Sequence, residues 1–213
     1  MFTGIIETIG LVKRVLGGTG HMVVSVDLGE VASGVKSGSS IAVNGVCLTV
    51  SRFVGGLAEF DVSSETLAVC AMDRIRAGSK VNIERAVSAD GRFGGHFVLG
   101  HVDGIASVRT IESKGDFAWI TFATAADLLD EMVVKGSVCV DGVSLTVAKM
   151  DDEGFSVSVI PTTLKETTLG QVKVGDVVNI ETDVIIKTVK KQLSKMLGRQ
   201  ETLTVERLKE LGF

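Results

Sequence analysis

Two short stretches carry thiol or hydroxyl side chains at alternate positions directly after a turn signal. Residues 44–50 read Asn-Gly-Val-Cys-Leu-Thr-Val, and residues 141–147 read Asp-Gly-Val-Ser-Leu-Thr-Val. Asn-Gly and Asp-Gly favour the type I′ turn of a β-hairpin, because both residues tolerate a positive φ. Neighbouring side chains of a strand point to opposite faces. The alternation predicts an apolar face and an opposite polar row, formed by Cys47 and Thr49 in the first stretch and by Ser144 and Thr146 in the second.

This polar row has two interpretations. A thiol or hydroxyl that faces a ligand can donate a hydrogen bond or, if activated, act as a nucleophile. The same row could also be the solvated side of a sheet, and for either copy alone that interpretation is favoured. Because the row occurs twice, we favour contact with a ligand. Cys47 could also be an inert core cysteine, but the alternation places it off the apolar face; Cys70 and Cys139 are expected to be packing residues.

The recurrence extends along most of the chain. An offset of 97 positions (141 − 44) relates three pairs of segments: 44–50 and 141–147, 66–67 and 163–164, 81–84 and 178–181. Near the start, Gly4-Ile5 is matched with Gly104-Ile105 at an offset of 100 (104 − 4), which suggests a loop that differs by three residues. A period of this length indicates a duplicated domain rather than a solenoid.

Length and turn content define the expected architecture. The 213 residues fit two domains of roughly 90 to 100 residues and a tail. Short strands with regular glycine turns predict a small closed or nearly closed barrel in each copy. We expect an all-β chain with one barrel at residues 1–88, a second at 97–183, and a helical segment at 184–213.

Composition and charge argue against several classes of function. A net charge of −4 without a basic stripe argues against a nucleic-acid partner. The apolar runs are too short to span a membrane, and no charged region precedes an apolar segment as in a secretory signal. Three cysteines without metal-ligand spacing predict free thiols in a reducing compartment, the cytoplasm, and no metal site.

The tail changes from strand to helix periodicity. Four apolar residues recur at spacings of 3, 4 and 3, which is an a/d seam: Ile186, Val189, Leu193 and Met196. Gly198 is expected to end this helix, and Thr204 to cap a last short helix that ends at Leu211. The seam could pack against other subunits, or the helix could dock on its own barrel.

Taken together, the motifs resemble riboflavin synthase over essentially the whole chain, including residues 208–213. The motifs that carry the resemblance are residues 1–5, the two hairpin stretches, Gly94-Gly95-His96 with residues 100–104, and residues 160–164 with 167–169. The resemblance implies two tandem six-stranded Greek-key β-barrels, a C-terminal α-helix and a homotrimer, with residues 184–213 as the trimerisation segment. It leaves open an association with lumazine synthase.

The resemblance also implies an activity. Riboflavin synthases convert two molecules of 6,7-dimethyl-8-ribityllumazine into riboflavin and 5-amino-6-(ribitylamino)uracil by transfer of a four-carbon unit, without a cofactor. Two identical substrates need two similar pockets, which a duplicated domain supplies. Donor and acceptor are treated differently, however, so the pockets must differ; Cys47 stands where the second copy has Ser144.

Four residues are the catalytic candidates. His101 could move protons, because imidazole titrates near neutral pH; a lone histidine is otherwise more often packed or solvated. Cys47 and Ser144 face the expected pockets. Asp183 resembles a position near the site, although a charge at a helix N-terminus is an equally good interpretation. His96 is expected to be structural and His21 to lie on the surface.

By the same resemblance, short strand segments contact the substrates. The first barrel is expected to use Phe2, Gly4, Ile5, Ile6, Cys47, Leu48, Thr49, Asp61, Val62, Ser63, Ser64, Glu65 and Thr66. The second barrel is expected to use Gly100, His101, Val102, Lys135, Ser144, Leu145, Thr146, Ser158, Val159, Ile160, Pro161, Thr162 and Thr163.

The size of the barrels predicts where the ligand lies. Side chains fill the interior of so small a barrel, so a bicyclic ligand must bind outside it. We therefore expect a site between the first barrel of one subunit and the second barrel of a neighbour, with Cys47 and His101 from different chains. The rival functions are a non-catalytic lumazine- or flavin-binding accessory protein and a flavin-reductase-like barrel, although the chain has no nicotinamide fingerprint.

Overall fold

Each copy of the repeat forms a closed antiparallel barrel of six strands in the computed structural model, which describes residues 1–18 and 20–197. The strands of the first barrel are β1 (Thr8–Gly18), β2 (His21–Asp27), β3 (Ser40–Val43), β4 (Val46–Val54), β5 (Leu57–Ser63) and β6 (Lys80–Arg85). Those of the second are β7 (Gly104–Lys114), β8 (Phe117–Thr124), β9 (Ser137–Val140), β10 (Val143–Asp151), β11 (Gly154–Val159) and β12 (Val177–Thr182). The order β1-β2-β5-β4-β3-β6 recurs as β7-β8-β11-β10-β9-β12, so the predicted Greek-key duplication is confirmed.

Four α-helices accompany the strands within the described residues: α1 (Ser64–Val69), α2 (Ala126–Leu129), α3 (Pro161–Glu166) and α4 (Val184–Leu197). The first three are short helices of four to six residues between strands. Helix α4 is the predicted C-terminal helix. The predicted stop at Gly198 and the short helix capped by Thr204 lie outside the described residues. Between residues 1–18 and 20–197 the chain forms no helix with the length and apolar character needed to cross a bilayer.

The alternation predicted for the hairpin strands is present. In β4, Val46, Leu48 and Val50 point into the barrel and are buried, whereas Thr49 is exposed. Strand β10 repeats the pattern, with Thr146 exposed. Apolar side chains fill both interiors, so the polar rows lie on the outside of the barrels.

Both predicted type I′ turns are formed, and they meet at the junction between the barrels. Asn44 and Gly45 have φ values of 46° and 77°, and Asp141 and Gly142 have values of 45° and 83°. A Cβ atom on Gly45 would lie only 2.7 Å from the backbone nitrogen of Gly142. Glycine is therefore required here twice, by the turn conformation and by the close approach of the other turn.

Two asparagines fasten the turns to each other. Asn82 donates from its own backbone to Oδ1 of Asn44 (2.7 Å) and from its side chain to the carbonyl of Asp141 in the other barrel (2.9 Å). Asn179 makes the equivalent bonds to Asp141 Oδ1 (2.8 Å) and to the carbonyl of Asn44 (2.8 Å). The junction thus has a local twofold symmetry in which each amide crosses to the other copy.

The strand pairing corrects one sequence match. Thr8 of β1 pairs with Ile83, and Gly104 of β7 pairs with the equivalent Ile180, so Gly104 corresponds to Thr8. The match of Gly4-Ile5 with Gly104-Ile105 is wrong, because it rested on an identical dipeptide and not on pairing. Residues 4–5 correspond instead to residues 100–101, an offset of 96 (100 − 4), and the two glycines share a positive φ of 76° and 79°. His101 therefore takes the place of Ile5.

Helix α4 begins on the second barrel and leaves an apolar stripe uncovered in the single chain. Lys187 Nζ donates to both carboxylate oxygens of Asp103 (2.8 and 2.7 Å), which fixes the first turns of the helix to the barrel. More than half of each of four apolar side chains along the helix is exposed: Ile185, Val189, Leu193 and Met196. Ile186, the predicted start of the seam, is half-buried, and Ile185 takes its place on the stripe.

The buried turn residue Asp141 gives a pH-dependent stability. Burial raises the pKa of its carboxyl to about 7, against 3.8 in an exposed chain. The folded state binds this proton more tightly than the unfolded state, so stability falls as the pH rises from about 4 through about 7. We expect Asp141→Asn to increase the free energy of unfolding more at pH 8 than at pH 5. The difference between the two increases should be up to about 3 kcal/mol, measured by urea denaturation.

The first copy supplies the control for this prediction. Asn44 forms the same turn with φ 46° and accepts the same kind of backbone hydrogen bond, so asparagine fits the position. Asn44→Asp should destabilise the protein at pH 8 and much less at pH 5. Equal effects of Asp141→Asn at the two pH values would contradict the argument.

Candidate active site

Two leading segments, residues 2–6 and 98–102, precede the barrels and lie between them. Phe2 and Val98 form an antiparallel bridge, in which Phe2 N donates to Val98 O (2.7 Å) and Val98 N to Phe2 O (3.2 Å). Both side chains are buried, together with Ala42 and Cys139, in a small cluster separate from the two barrel cores. Phe2, a predicted substrate contact, is thus a packing residue of the junction in a single chain.

Each leading segment lies against the hairpin of the other barrel. Ser144 N donates to the carbonyl of Gly4 (2.7 Å), and Cys47 N donates to that of Gly100 (2.9 Å). A Cβ atom on Gly4 would approach Ser144 Cβ to 2.6 Å, and one on Gly100 would approach Cys47 Cβ to 2.5 Å. Only glycine can bring the backbone so close to these side chains.

This placement of each leading segment on the other barrel, an exchange of leading segments, corrects the predicted grouping of the candidate residues. Residues 4–6 were assigned to the first barrel, but Ile6 packs on the core of the second. Residues 100–102 were assigned to the second barrel, but Val102 packs on the core of the first. The cause is the crossing at the Phe2–Val98 bridge, which a linear assignment to barrels cannot represent.

Two candidate sites result, one on the outside of each barrel. The first candidate site combines residues 47–49 of β4, residues 61–66 of the neighbouring β5 and α1, and residues 100–102. The second candidate site combines residues 144–146 of β10, residues 158–163 of β11 and α3, and residues 4–6. Outward side chains of both sites are open to solvent, among them Asp61, Ser63, Ser158 and Ile160.

The first candidate site offers a thiol as a hydrogen-bond donor. Cys47 is half-buried, and burial together with the nearby charge of Glu181 raises the pKa of its thiol. The group is therefore a neutral S–H at neutral pH and not a nucleophilic thiolate. His101 is exposed beside it, on the segment that meets Cys47 through Gly100.

The second candidate site contains a histidine that sequence reasoning set aside. His96 Nδ1 lies 2.7 Å from the hydroxyl oxygen of Ser144, so the structural role predicted for His96 omitted its contact with the site. In the described part of the chain, its buried Nε2 has no hydrogen-bond partner. The preceding Gly95 permits this contact, because a Cβ there would collide with Ser144 and with the backbone of Thr3, but this requirement is visible only in the structure.

Burial also determines the charge of this histidine. It lowers the pKa of His96, and the negative charge of Asp183 partly opposes the shift. The imidazole is therefore neutral at neutral pH and can accept a proton. Asp183 acts at the same time as a cap of α4, since its Oδ1 accepts the N–H of Ile185 (2.9 Å). Both interpretations of Asp183 thus have a physical basis.

Lys135 marks a further difference between the copies. It has a φ of 71° and donates its N–H to Val147 (2.8 Å), as Gly38 with a φ of 87° does to Val50 (2.8 Å) in the first barrel. A lysine in this left-handed conformation is unusual. Across residues 1–18 and 20–197, no three His, Cys, Asp or Glu side chains are grouped as a metal site would require.

The neutral histidine gives a titration that can be measured. We expect the His96 ring to titrate below 6.5 in NMR spectra, and Asp183→Asn to lower the pKa further, because the aspartate charge favours the protonated ring. His96→Gln identifies the resonance. A midpoint at or above 6.5, or a rise in Asp183→Asn, would contradict this account.

The comparisons with known proteins agree with two copies of one domain. A family model for the lumazine binding domain matches residues 3–86 and 99–183. Riboflavin synthases of Actinobacillus pleuropneumoniae and Bacillus subtilis are 41% and 40% identical to this chain over 215 residues, with all of each sequence covered. The riboflavin synthase of Bacillus amyloliquefaciens is 42% identical over the same length.

Solved structures show the same fold. LumP complexed with riboflavin superposes with a TM-score of 0.80 at 25% identity, covering 85% of this chain and 99% of that one. LumP complexed with 6,7-dimethyl-8-(1'-D-ribityl) lumazine gives a TM-score of 0.79 at 23% identity, a likeness of fold alone. On the two matched domains and the full-length relatives, this chain belongs to the riboflavin synthase family of lumazine-binding proteins.

Proposed function

We propose that this protein is a riboflavin synthase. It converts two molecules of 6,7-dimethyl-8-ribityllumazine into riboflavin and 5-amino-6-(ribitylamino)uracil by transfer of a four-carbon unit. The observation that carries the proposal is the presence of two candidate sites with one scaffold and different polar groups, in a chain similar over its full length to riboflavin synthases. The reaction balances, because the four carbons that one lumazine molecule gains are those that the other loses.

The two sites have different chemical tasks. The reaction requires removal of a proton from the C7 methyl group, and further proton transfers as rings open and close. At the second candidate site, neutral His96 with Ser144 can take up and return protons. At the first, the Cys47 thiol and Thr49 hydroxyl hold a bound ring by donated hydrogen bonds, with His101 beside them. Alignment of the two rings would supply much of the acceleration.

The open faces of the candidate sites support a homotrimer with shared active sites. Within one chain, the two touching turns and the buried cluster around Phe2 and Val98 fill the junction between the Cys47 and Ser144 strands, so rings bound at both sites cannot stack there. A neighbouring subunit must bring the other site. The exposed stripe of α4 supplies a surface on which three copies can associate.

The arrangement of the shared site differs from the expected one in one respect. Cys47 meets Gly100 of its own chain, so Cys47 and His101 belong to one subunit and not to two. The pair from different chains is instead the first candidate site of one subunit and the second of its neighbour. The free thiols Cys47, Cys70 and Cys139 support a cytoplasmic location. Association with lumazine synthase stays a prediction.

A non-catalytic lumazine- or flavin-binding accessory protein is the second candidate function. The likeness of fold to LumP in its complex with riboflavin favours it. Both functions need ligand binding, but only the enzyme needs the proton-transferring pair at the second candidate site together with the donors at the first.

Turnover separates the two functions. We expect the purified protein, incubated with 6,7-dimethyl-8-ribityllumazine and no metal or nucleotide, to form riboflavin and the pyrimidine in equal amounts, followed by absorbance and chromatography. His96→Gln should lower kcat by on the order of 100-fold, the range of a lost general base. Tight binding of the lumazine without any product would contradict the enzyme and support the accessory protein.

Mixed subunits test the shared site. The protein should sediment as a trimer, and Cys47→Ala and Ser144→Ala should each be nearly inactive alone. After subunit exchange of an equal mixture, random pairing leaves about one quarter of the interfaces with both groups intact, so about a quarter of wild-type activity should return.

A matched mixture provides the control. Wild type exchanged with the double variant Cys47→Ala/Ser144→Ala should also retain about a quarter of the activity if sites are shared, but about half if each chain acts alone. A monomer at micromolar concentration, or no recovery in the first mixture, would rule out the shared site.

A further inference from the structure

Two buried glutamates hold the leading segments. Glu84 and Glu181 end the repeated Val-Asn-Ile-Glu motifs and are only 4% and 2% exposed. The carboxylate of Glu84 accepts the N–H of Thr3 (2.6 Å), the hydroxyl of Thr3 (2.7 Å) and the N–H of Gly4 (3.0 Å).

Glu181 makes two equivalent contacts in the second copy, and the N–H of His101 replaces the Thr3 hydroxyl as its third partner. It accepts the backbone N–H groups of Leu99 (2.7 Å), Gly100 (2.9 Å) and His101 (3.1 Å). Hydrogen bonds to a buried carboxylate are roughly twice as strong as neutral ones. Burial raises the pKa of both carboxyls, and the bonds from the leading segments oppose that rise. Burial of each charged carboxylate therefore costs free energy, and the hydrogen bonds from the leading segment offset this cost.

The contacts of the two glycines connect each glutamate to the opposite barrel. Gly4 donates its N–H to Glu84 of the first barrel and accepts, at its carbonyl, the N–H of Ser144 in the second. Gly100 donates to Glu181 of the second barrel and accepts from Cys47 in the first. A single residue thus separates each carboxylate from the hairpin of the other barrel.

We propose that Glu84 and Glu181 are positioning residues with crossed effects: Glu84, in the first barrel, sets the geometry of the second candidate site, and Glu181, in the second barrel, sets that of the first. The inference deepens the proposed function and rests on it, since the ligand is taken to be a lumazine or flavin. A purely structural role for the glutamates would instead affect both sites alike.

The repeat offers a reporter for each site. Cys47 is half-buried at the first candidate site, whereas Cys70 and Cys139 are buried, so a thiol reagent should report on Cys47. The riboflavin concentration that halves the rate of modification measures binding at the first site. In the background Cys47→Ser/Ser144→Cys, which exchanges the residues of the two copies, the same assay measures the second site.

Glu181→Gln and Glu84→Gln form a matched pair. Glutamine replaces one acceptor oxygen by an N–H₂ group, which then faces a backbone N–H. We expect Glu181→Gln to raise the half-protecting riboflavin concentration at least about tenfold at the first site and less than about twofold at the second; Glu84→Gln should do the reverse. Modification without riboflavin is measured separately, because the charge of Glu181 also affects the Cys47 thiol.

Each outcome decides the proposal. The proposal would be overturned if the half-protecting riboflavin concentration shifted equally at both sites, shifted at the site of the glutamate's own barrel, or did not shift. Should a Gln variant fail to fold, the Asp variant, which keeps the charge but withdraws it from the N–H groups, is assayed with the same criteria. The assay needs no turnover, so an inactive protein with crossed shifts would refute the enzyme and keep the crossed positioning. Riboflavin that protects neither reporter would refute both.

Discussion

The two amides that cross the barrel junction are the interaction on which the rest of the structure depends. Asn82 and Asn179 each bind the turn of the other copy, and the glycines of both turns allow the approach. Such bonds stabilise by only about 1 kcal/mol each, but a buried polar group left without a partner costs about 1–3 kcal/mol. Any displacement of one barrel would break the crossing bonds of Asn82 and Asn179 together. The relative position of the barrels, and so the course of the leading segments, is fixed by this requirement.

Features that arise from local chemistry could be predicted from the sequence, whereas features that arise from contacts between the copies could not. Period-two alternation and the turn residues specified β4 and β10 with their polar rows. The match of Gly4 with Gly104 failed, because register depends on which strand pairs with β6 and β12. The exchange of leading segments and the contact of His96 with Ser144 join residues far apart in sequence, and no periodicity encodes them.

The two copies share a backbone but differ in chemistry at a few corresponding positions. Cys47 corresponds to Ser144, Ile5 to His101, and Gly38 to Lys135. The turns, the barrel interiors and the bonds from Gly4 to Glu84 and from Gly100 to Glu181 are the same in both copies. A dismutation needs this combination, because two identical molecules must be bound in the same way and then treated differently. The scaffold accounts for the first requirement and the few differences account for the second.

The exchange of leading segments is the contact that two identical single-barrel chains would make across a twofold axis. Residues 89–95 join the copies, so an association that would depend on protein concentration becomes intramolecular, with an effective concentration of order millimolar or above. Covalent linkage also changes what mutation can do. In a symmetric dimer every substitution appears in both halves, but in the fused chain it appears once. The junction could stay self-complementary while Cys47 and Ser144 diverged, and a single gene could then carry two unlike pockets.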